Sequence, residues 1–207
     1  MVQKSASPQA KRRGRPRAYD PDAALAQAIE AFWKTGYSGT SLDDLSAATG
    51  MNRPSLYAAF GDKRELYLKA LGHYWTLGGS MMTDALDNDL PLRDALMRFY
   101  QNALALYVPR TGRARGCFAI STATTEALEE PKIRALLARG LRGLDEGLAR
   151  RIRAAREAGE IKADADPATL AAIASATLHT IAIRARAGTP RAELEALARS
   201  VVGLICA

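Results

Sequence analysis

The apolar positions of this chain recur with helical spacing. Leu25, Ala28, Ile29 and Phe32 fall at i, i+3, i+4 and i+7, one face of a first helix. Asp20-Pro21 supplies its start, an N-cap followed by proline at the first helical position. Gly36 is expected to stop it. Thr40 and Ser41 each precede an aspartate by three residues, Asp43 and Asp44, which is capping-box spacing. The short second helix that follows turns Leu42 and Leu45 inward and ends at Gly50. Asn52 then caps a third helix with Arg53, Pro54 and Ser55 in its first turn, where a proline is tolerated because those N–H groups have no intrahelical partner. Leu56 and Phe60 face inward and Gly61 ends it.

A fourth helix is predicted from near Lys63 through Tyr67, Ala70, Leu71 and Tyr74, with a break at Gly78-Gly79 before Met81. A fifth starts near Pro91 and carries Leu92, Leu96, Phe99 and Tyr100 inward. Thr111 to Gly116 reads as an exposed basic loop; it lacks the Gly-Lys-Ser/Thr of a P-loop. Cys117 to Ala127 is expected to be a small-residue helix rich in hydroxyls. Those hydroxyls either line a cavity or bond their own helix carbonyls. A long helix runs from Pro131 to about Gly159 on a stripe of Ile133, Leu136, Leu137, Leu141, Leu144, Leu148 and Ile152. Its Gly143 and Gly147 suit close helix packing, and its seven arginines argue against a membrane. Leu170, Ile173, Ala174, Thr177, Leu178 and Ile181 mark an eighth helix. Leu194, Leu197, Ala198, Val201, Val202, Leu204 and Ile205 mark a ninth, after Thr189-Pro190.

Composition agrees with an all-α fold. Of 207 residues, 48% are hydrophobic and 25% charged, alanine makes up about a fifth, and aromatics reach 6%. The longest uncharged run, 167–183, holds Ser, Thr and His and is too short and polar for a membrane span. The N-terminus has no apolar stretch of the kind a signal peptide needs, so a cytoplasmic protein is expected. Two cysteines, Cys117 and Cys206, make no disulfide framework.

The net charge of +7 changes the picture once it is located. Residues 1–19 hold six bases and no acid, residues 20–66 four bases and seven acids, and residues 67–207 nineteen bases and fifteen acids. The excess is therefore one N-terminal arm, expected to be disordered when free because its composition cannot bury a core. In it, Arg13-Gly14-Arg15-Pro16-Arg17 has thin, extended backbone between guanidiniums that fit the narrow minor groove of A·T-rich DNA. The alternative is a solvated tail.

Three short helices, the last two joined by a tight turn, describe a helix-turn-helix, and the small polar start of the third suits a recognition helix in the major groove. The run from Gly36 to Leu71 resembles the TetR family of bacterial transcriptional regulators. The match is carried by Gly36-Tyr37, by Thr40-Ser41-Leu42-Asp43-Asp44-Leu45, by Ala48 through Tyr57, and by Phe60-Gly61-Asp62-Lys63-Arg64-Glu65-Leu66. The resemblance implies a DNA-binding head of three helices, a connecting fourth helix, and a ligand-binding, dimerising body, about nine helices in all. It divides the chain into a basic arm (1–19), a helix-turn-helix domain (20–66) and a ligand-binding and dimerisation domain (67–207).

Carried across, the resemblance has Thr40 contact phosphate, and sets Asn52, Arg53, Pro54 and Ser55 at the start of the recognition helix. Tyr57 and Lys63 become phosphate contacts, joining Arg13, Arg15 and Arg17 of the arm. Two positions depart from the family: Pro54 removes an N–H that could bind phosphate, and Ala58 and Ala59 stand where many members carry larger side chains. Base reading then rests on Arg53 and the arm. The implied partners are a pseudo-palindromic double-stranded operator, a second copy of the chain and a small-molecule effector that releases a repressor from DNA.

For the effector the expected cavity residues are Trp75, Met81, Phe99, Tyr100, Tyr107, Cys117, Ser121, Thr125 and His179. For the dimer they are Leu170, Ile173, Thr177, Ile181, Leu194, Leu197, Val201 and Leu204, on two helices that pair across a two-fold axis in the family. Other readings are a regulator sensing redox state through Cys117, or a helical enzyme with an accessory DNA-binding head. Only His73 and His179 could serve as catalytic histidines, and neither sits in a motif with a nucleophile and an acid. No short-spaced ligand pair suggests a metal, and no cofactor is implied.

Overall fold

The computed structural model describes residues 19–87, 89–111 and 113–207. Among them are nine α-helices and one short 3-10 turn, with no strand. The helices are α1 (Pro21–Gly39), α2 (Leu42–Thr49), α3 (Arg53–Phe60), α4 (Lys63–Leu86), α5 (Leu92–Tyr107), α6 (Phe118–Thr122), α7 (Pro131–Glu157), α8 (Pro167–Arg186) and α9 (Arg191–Ile205).

Local chemistry sets the starts as the sequence indicates. The Asp20 carboxylate accepts from the N–H groups of Asp22 and Ala23. Ser41 rather than Thr40 caps α2, in a reciprocal box with Asp44. Asn52 accepts from Ser55 N at 2.9 Å, and Asp62 from Glu65 N at 2.8 Å. Gly36 kinks α1 instead of ending it: at φ 80° it interrupts the helical path, which resumes through Gly39.

Two expectations are corrected. No break occurs at Gly78-Gly79, and α4 runs unbroken from Lys63 to Leu86. Two helical glycines cost about 1 kcal/mol each, which packing of α4 against α1, α5 and α7 outweighs. The helix expected from Cys117 to Ala127 is only α6, followed by the 3-10 turn Glu126–Leu128. Thr122 and Thr124 turn their hydroxyls back on the carbonyls of Phe118 and Ile120, a bonding pattern that competes with continued helix.

The head joins the body through an aromatic cluster. Phe32 and Tyr67 meet edge to face at 5.2 Å, Trp33 and Phe118 at 5.5 Å, and Trp33 and Tyr74 at 5.5 Å. Thr122 gives its proton to Phe118 O, so the Tyr67 hydroxyl donates to Thr122 Oγ1, at 2.7 Å. In the body, α8 is by length and composition apolar enough to span a bilayer; it packs against α5, α7 and α9 as a central helix.

Candidate nucleic-acid interface and body cavity

At the head, α3 exposes Asn52, Arg53, Pro54, Tyr57 and Ala58 along one edge, and buries Leu56 and Phe60. Proline in the first turn leaves no lost intrahelical bond, and the Asn52 side chain caps the helix start. Arg53 lies across the α2–α3 turn: its Nε reaches Asp43 Oδ1 at 2.9 Å and its Nη2 reaches Oδ2 at 2.6 Å. That planar fork is the geometry with which arginine reads the edge of guanine. Tyr57 is 48% exposed one turn further along.

Lys63, at the first turn of α4, holds its ammonium 4.4 Å from the centre of the Tyr37 ring, and burial pulls its pKa down. Thr40 is a correction. Its side chain is buried, its hydroxyl donates to Gly36 O at 2.6 Å and meets Thr35 Oγ1 at 2.8 Å. The kink at Gly36 frees that carbonyl, and Thr40 satisfies it rather than facing outward. Arg13, Arg15 and Arg17 lie outside the described residues.

In the body, a cavity of about 280 Å³ opens between α4, the end of α5, α7 and α8. Its walls include Tyr74, Trp75, Gly78, Gly79, Met82, Thr83 and Leu86 from α4, and Leu106 and Tyr107 from α5. Cys117, then Gly140, Gly143, Leu144 and Gly147 from α7, and Leu178 and His179 from α8 complete it. Of the expected cavity residues, Trp75, Tyr107, Cys117 and His179 line it. Phe99 and Tyr100 are fully buried in packing, the Tyr100 hydroxyl donating to Ala174 O at 2.9 Å. Met81 points outward, one position from the lining Met82. Ser121, on α6, and Thr125, beyond its end, are both off the cavity. The sequence marks Gly78-Gly79 as a break and Gly143 and Gly147 as packing positions, and gives Gly140 no mark, so nothing in it signals their place in the cavity wall.

The cavity carries no charged lining. Burial lifts the Tyr74 and Tyr107 hydroxyls well above their ordinary range, raises the Cys117 thiol, and lowers His179. All four are therefore held neutral at pH 7. The Tyr74 hydroxyl donates to Cys117 Sγ at 3.1 Å. Arg115, two residues from the thiol, is engaged elsewhere: it meets Glu30 at 2.6 Å and stacks 3.9 Å over Trp33. Cys117 thus lacks the exposed, electropositive setting of a sensing thiolate. The indole N–H of Trp75 is buried without a hydrogen-bond partner.

Between cavity and head the chain is tied tightly. Tyr107 O accepts from Arg115 N at 2.9 Å, while Arg115 O accepts from Trp33 Nε1 and from Arg186, both at 3.2 Å. Lys132 pairs with Glu65 at 3.2 Å, and Ser38 donates to Glu126 at 2.7 Å.

The expected dimer residues divide. Ile181 and Leu194 are buried within the chain, as is Thr177, whose hydroxyl donates to Ile173 O at 2.8 Å. These three are core, because α8 and α9 first pack on α5 and α7. Ile173 and Leu204 stay exposed, at 43% and 74%; Leu170, Leu197 and Val201 are half-buried. Ile183, which the sequence stripe omits, is 58% exposed.

Comparison with known proteins covers both parts. Residues 24–70 match the family described as bacterial regulatory proteins, tetR family, and residues 81–201 match the tetracyclin repressor-like C-terminal domain. The HTH-type transcriptional repressor ComR of Escherichia coli (strain K12) is 31% identical over 195 residues, 94% of this chain and 92% of that protein. The transcriptional regulator AcuR of Cereibacter sphaeroides is 31% identical over 172 residues, 79% of this chain and 77% of that protein. Among solved structures, a cysteine mutant of the regulator CifR complexed with 26bp double-strand operator DNA superimposes with a TM-score of 0.84. It is 32% identical, covering 92% of this chain and 98% of that one.

Proposed function

The chain belongs to the TetR family of bacterial transcriptional regulators, and from that premise we propose that it is a homodimeric repressor released from its operator by a small molecule. Residues 20–66 act as the DNA-binding domain and residues 67–207 as the effector-binding and dimerisation domain, working in the bacterial cytoplasm. Arg53 reads a base edge, with Asn52, Pro54 and Ser55 at the groove. Tyr57, Lys63 and the basic arm (Arg13, Arg15, Arg17) hold phosphates or the minor groove, and Thr40 positions α2 from behind.

The observation that carries this reading is α4. One unbroken helix has the recognition helix packed at its start and supplies the cavity wall from Tyr74 to Leu86. A molecule that occupies the cavity displaces α4 relative to α7. The two heads of the dimer then lose the spacing of about 34–36 Å that successive major grooves require. The ligand shifts this balance only by its differential affinity for the two head spacings.

The test is fluorescence anisotropy of the purified full chain on DNA from upstream of its own gene, against random duplex of equal length. Binding should favour the upstream DNA by at least about a thousandfold and weaken with salt. Equal affinity for both duplexes would reject the reading.

A further inference from the structure

The cavity selects its ligand by charge and thickness. Gly78 and Gly79 of α4 and Gly140, Gly143 and Gly147 of α7 leave two helix faces without side chains. The space between them is therefore a slot. Trp75 already shows what such a face accepts. Its indole lies so close to Gly140 that a Cβ there would fall 2.2 Å from a ring carbon. A flat ring packs against bare helix backbone where a branched side chain does not.

Size follows from the volume. At about 280 Å³ the slot is at the lower edge of ligand pockets, and roughly twice the 150 Å³ that takes a benzene ring. Charge follows from the lining, which holds no Lys, Arg, Asp or Glu. A charge brought here loses its water, and no charged group of the lining replaces it; the Arg150 guanidinium stands outside the lining, 3.8 Å from where a Cβ on Gly147 would fall. Among the fully buried polar side-chain atoms of the lining, the Trp75 indole N–H is without a partner, and it favours a ligand with a hydrogen-bond acceptor.

We propose that the slot takes a small, neutral, flat molecule of one or two rings bearing an acceptor group, and discriminates against carboxylates and amines of the same shape. This inference deepens the proposed effector site and rests on that reading only for its consequence at DNA.

Calorimetry on the full-length protein separates the two. The probes are 2-acetylnaphthalene and its anionic counterpart of like shape, 2-naphthoate. The neutral ketone should bind saturably, and the carboxylate at least about tenfold more weakly. Gly143→Leu should abolish ketone binding. Beyond its own helix nothing lies within 4 Å of a Cβ built at Gly143, so a leucine meets no clash at this lining position. Equal binding of both probes, tighter binding of the carboxylate, no binding of either, or undiminished ketone binding by Gly143→Leu would each overturn the proposal. Should the ketone bind the slot without altering operator affinity, the selectivity stands and the release mechanism falls.

Discussion

Arg53 on the recognition helix is forked onto Asp43 of the preceding helix, with both hydrogen bonds under 3 Å and both side chains open to solvent. The pair occupies the Arg53 fork, and under the proposed base-reading role a base edge would have to replace the carboxylate. Asp43→Ala removes that competitor and a negative charge near the phosphates. It should tighten binding to random DNA more than to operator, narrowing the specificity ratio. Arg53→Ala should lose roughly ten- to a hundredfold of discrimination against the wrong base. Anisotropy titrations on operator and one-base mismatches check both.

Stability should follow a pH window set by buried groups. Burial lowers the pKa of His179 below its ordinary 6.5, so its contribution is present above that value and fades as pH falls through the folded-state value. Cys117, Tyr74 and Tyr107 are raised, so theirs is complete below their ordinary values of 9 to 10 and fades as pH rises through the folded ones. Urea midpoints should therefore be flat from about pH 7 to 8.5 and fall on both sides. His179→Gln should flatten the acid limb alone; an unchanged limb would assign it to other groups.

The glycines of α7 are not equivalent. Gly140→Ala sets a methyl 2.2–2.5 Å from three ring atoms of Trp75, so the indole must leave its place. Overpacking of this kind costs about 1–3 kcal/mol, and it should shift the Trp emission. Gly143→Ala meets nothing within 4 Å and should gain up to about 1 kcal/mol of helix stability. Chemical denaturation followed by fluorescence distinguishes the two.

Those glycines also show where the sequence stops being legible. The faces of α1, α2, α3 and α5 can be read because burial repeats every three to four residues, and Asp20, Ser41, Asn52 and Asp62 write their caps in the chain. The recognition-helix edge is legible for the same reason, since Asn52 and Leu56 fix its phase. Gly78-Gly79 misleads because local propensity is weaker than the packing of α4 on the helices around it, α5, α1 and α7 above all. The cavity is made by missing side chains on helices far apart in sequence, and no periodicity marks an absence. Thr40 has the right type for a phosphate contact, but its direction depends on the kink at Gly36, a backbone property.

The last two helices carry two apolar faces each, and a mutation on either face should have a different effect. Ile181 is fully buried, so Ile181→Ala should destabilise the fold by about 2–5 kcal/mol without a surface defect. Ile183 and Leu204 are exposed large hydrophobics on α8 and α9, and exposed apolar surface of this kind marks an association face. Ile183→Glu with Leu204→Glu should leave helix content and cavity binding in place while dissociating the dimer. Light scattering should then fall from about twice the 22.2 kDa chain mass to that mass. Operator affinity should drop with it, because one head alone engages a single half-site. If the double variant stays dimeric, the association face lies elsewhere and the exposed residues of α4, Leu77 and Met81, become the next to test.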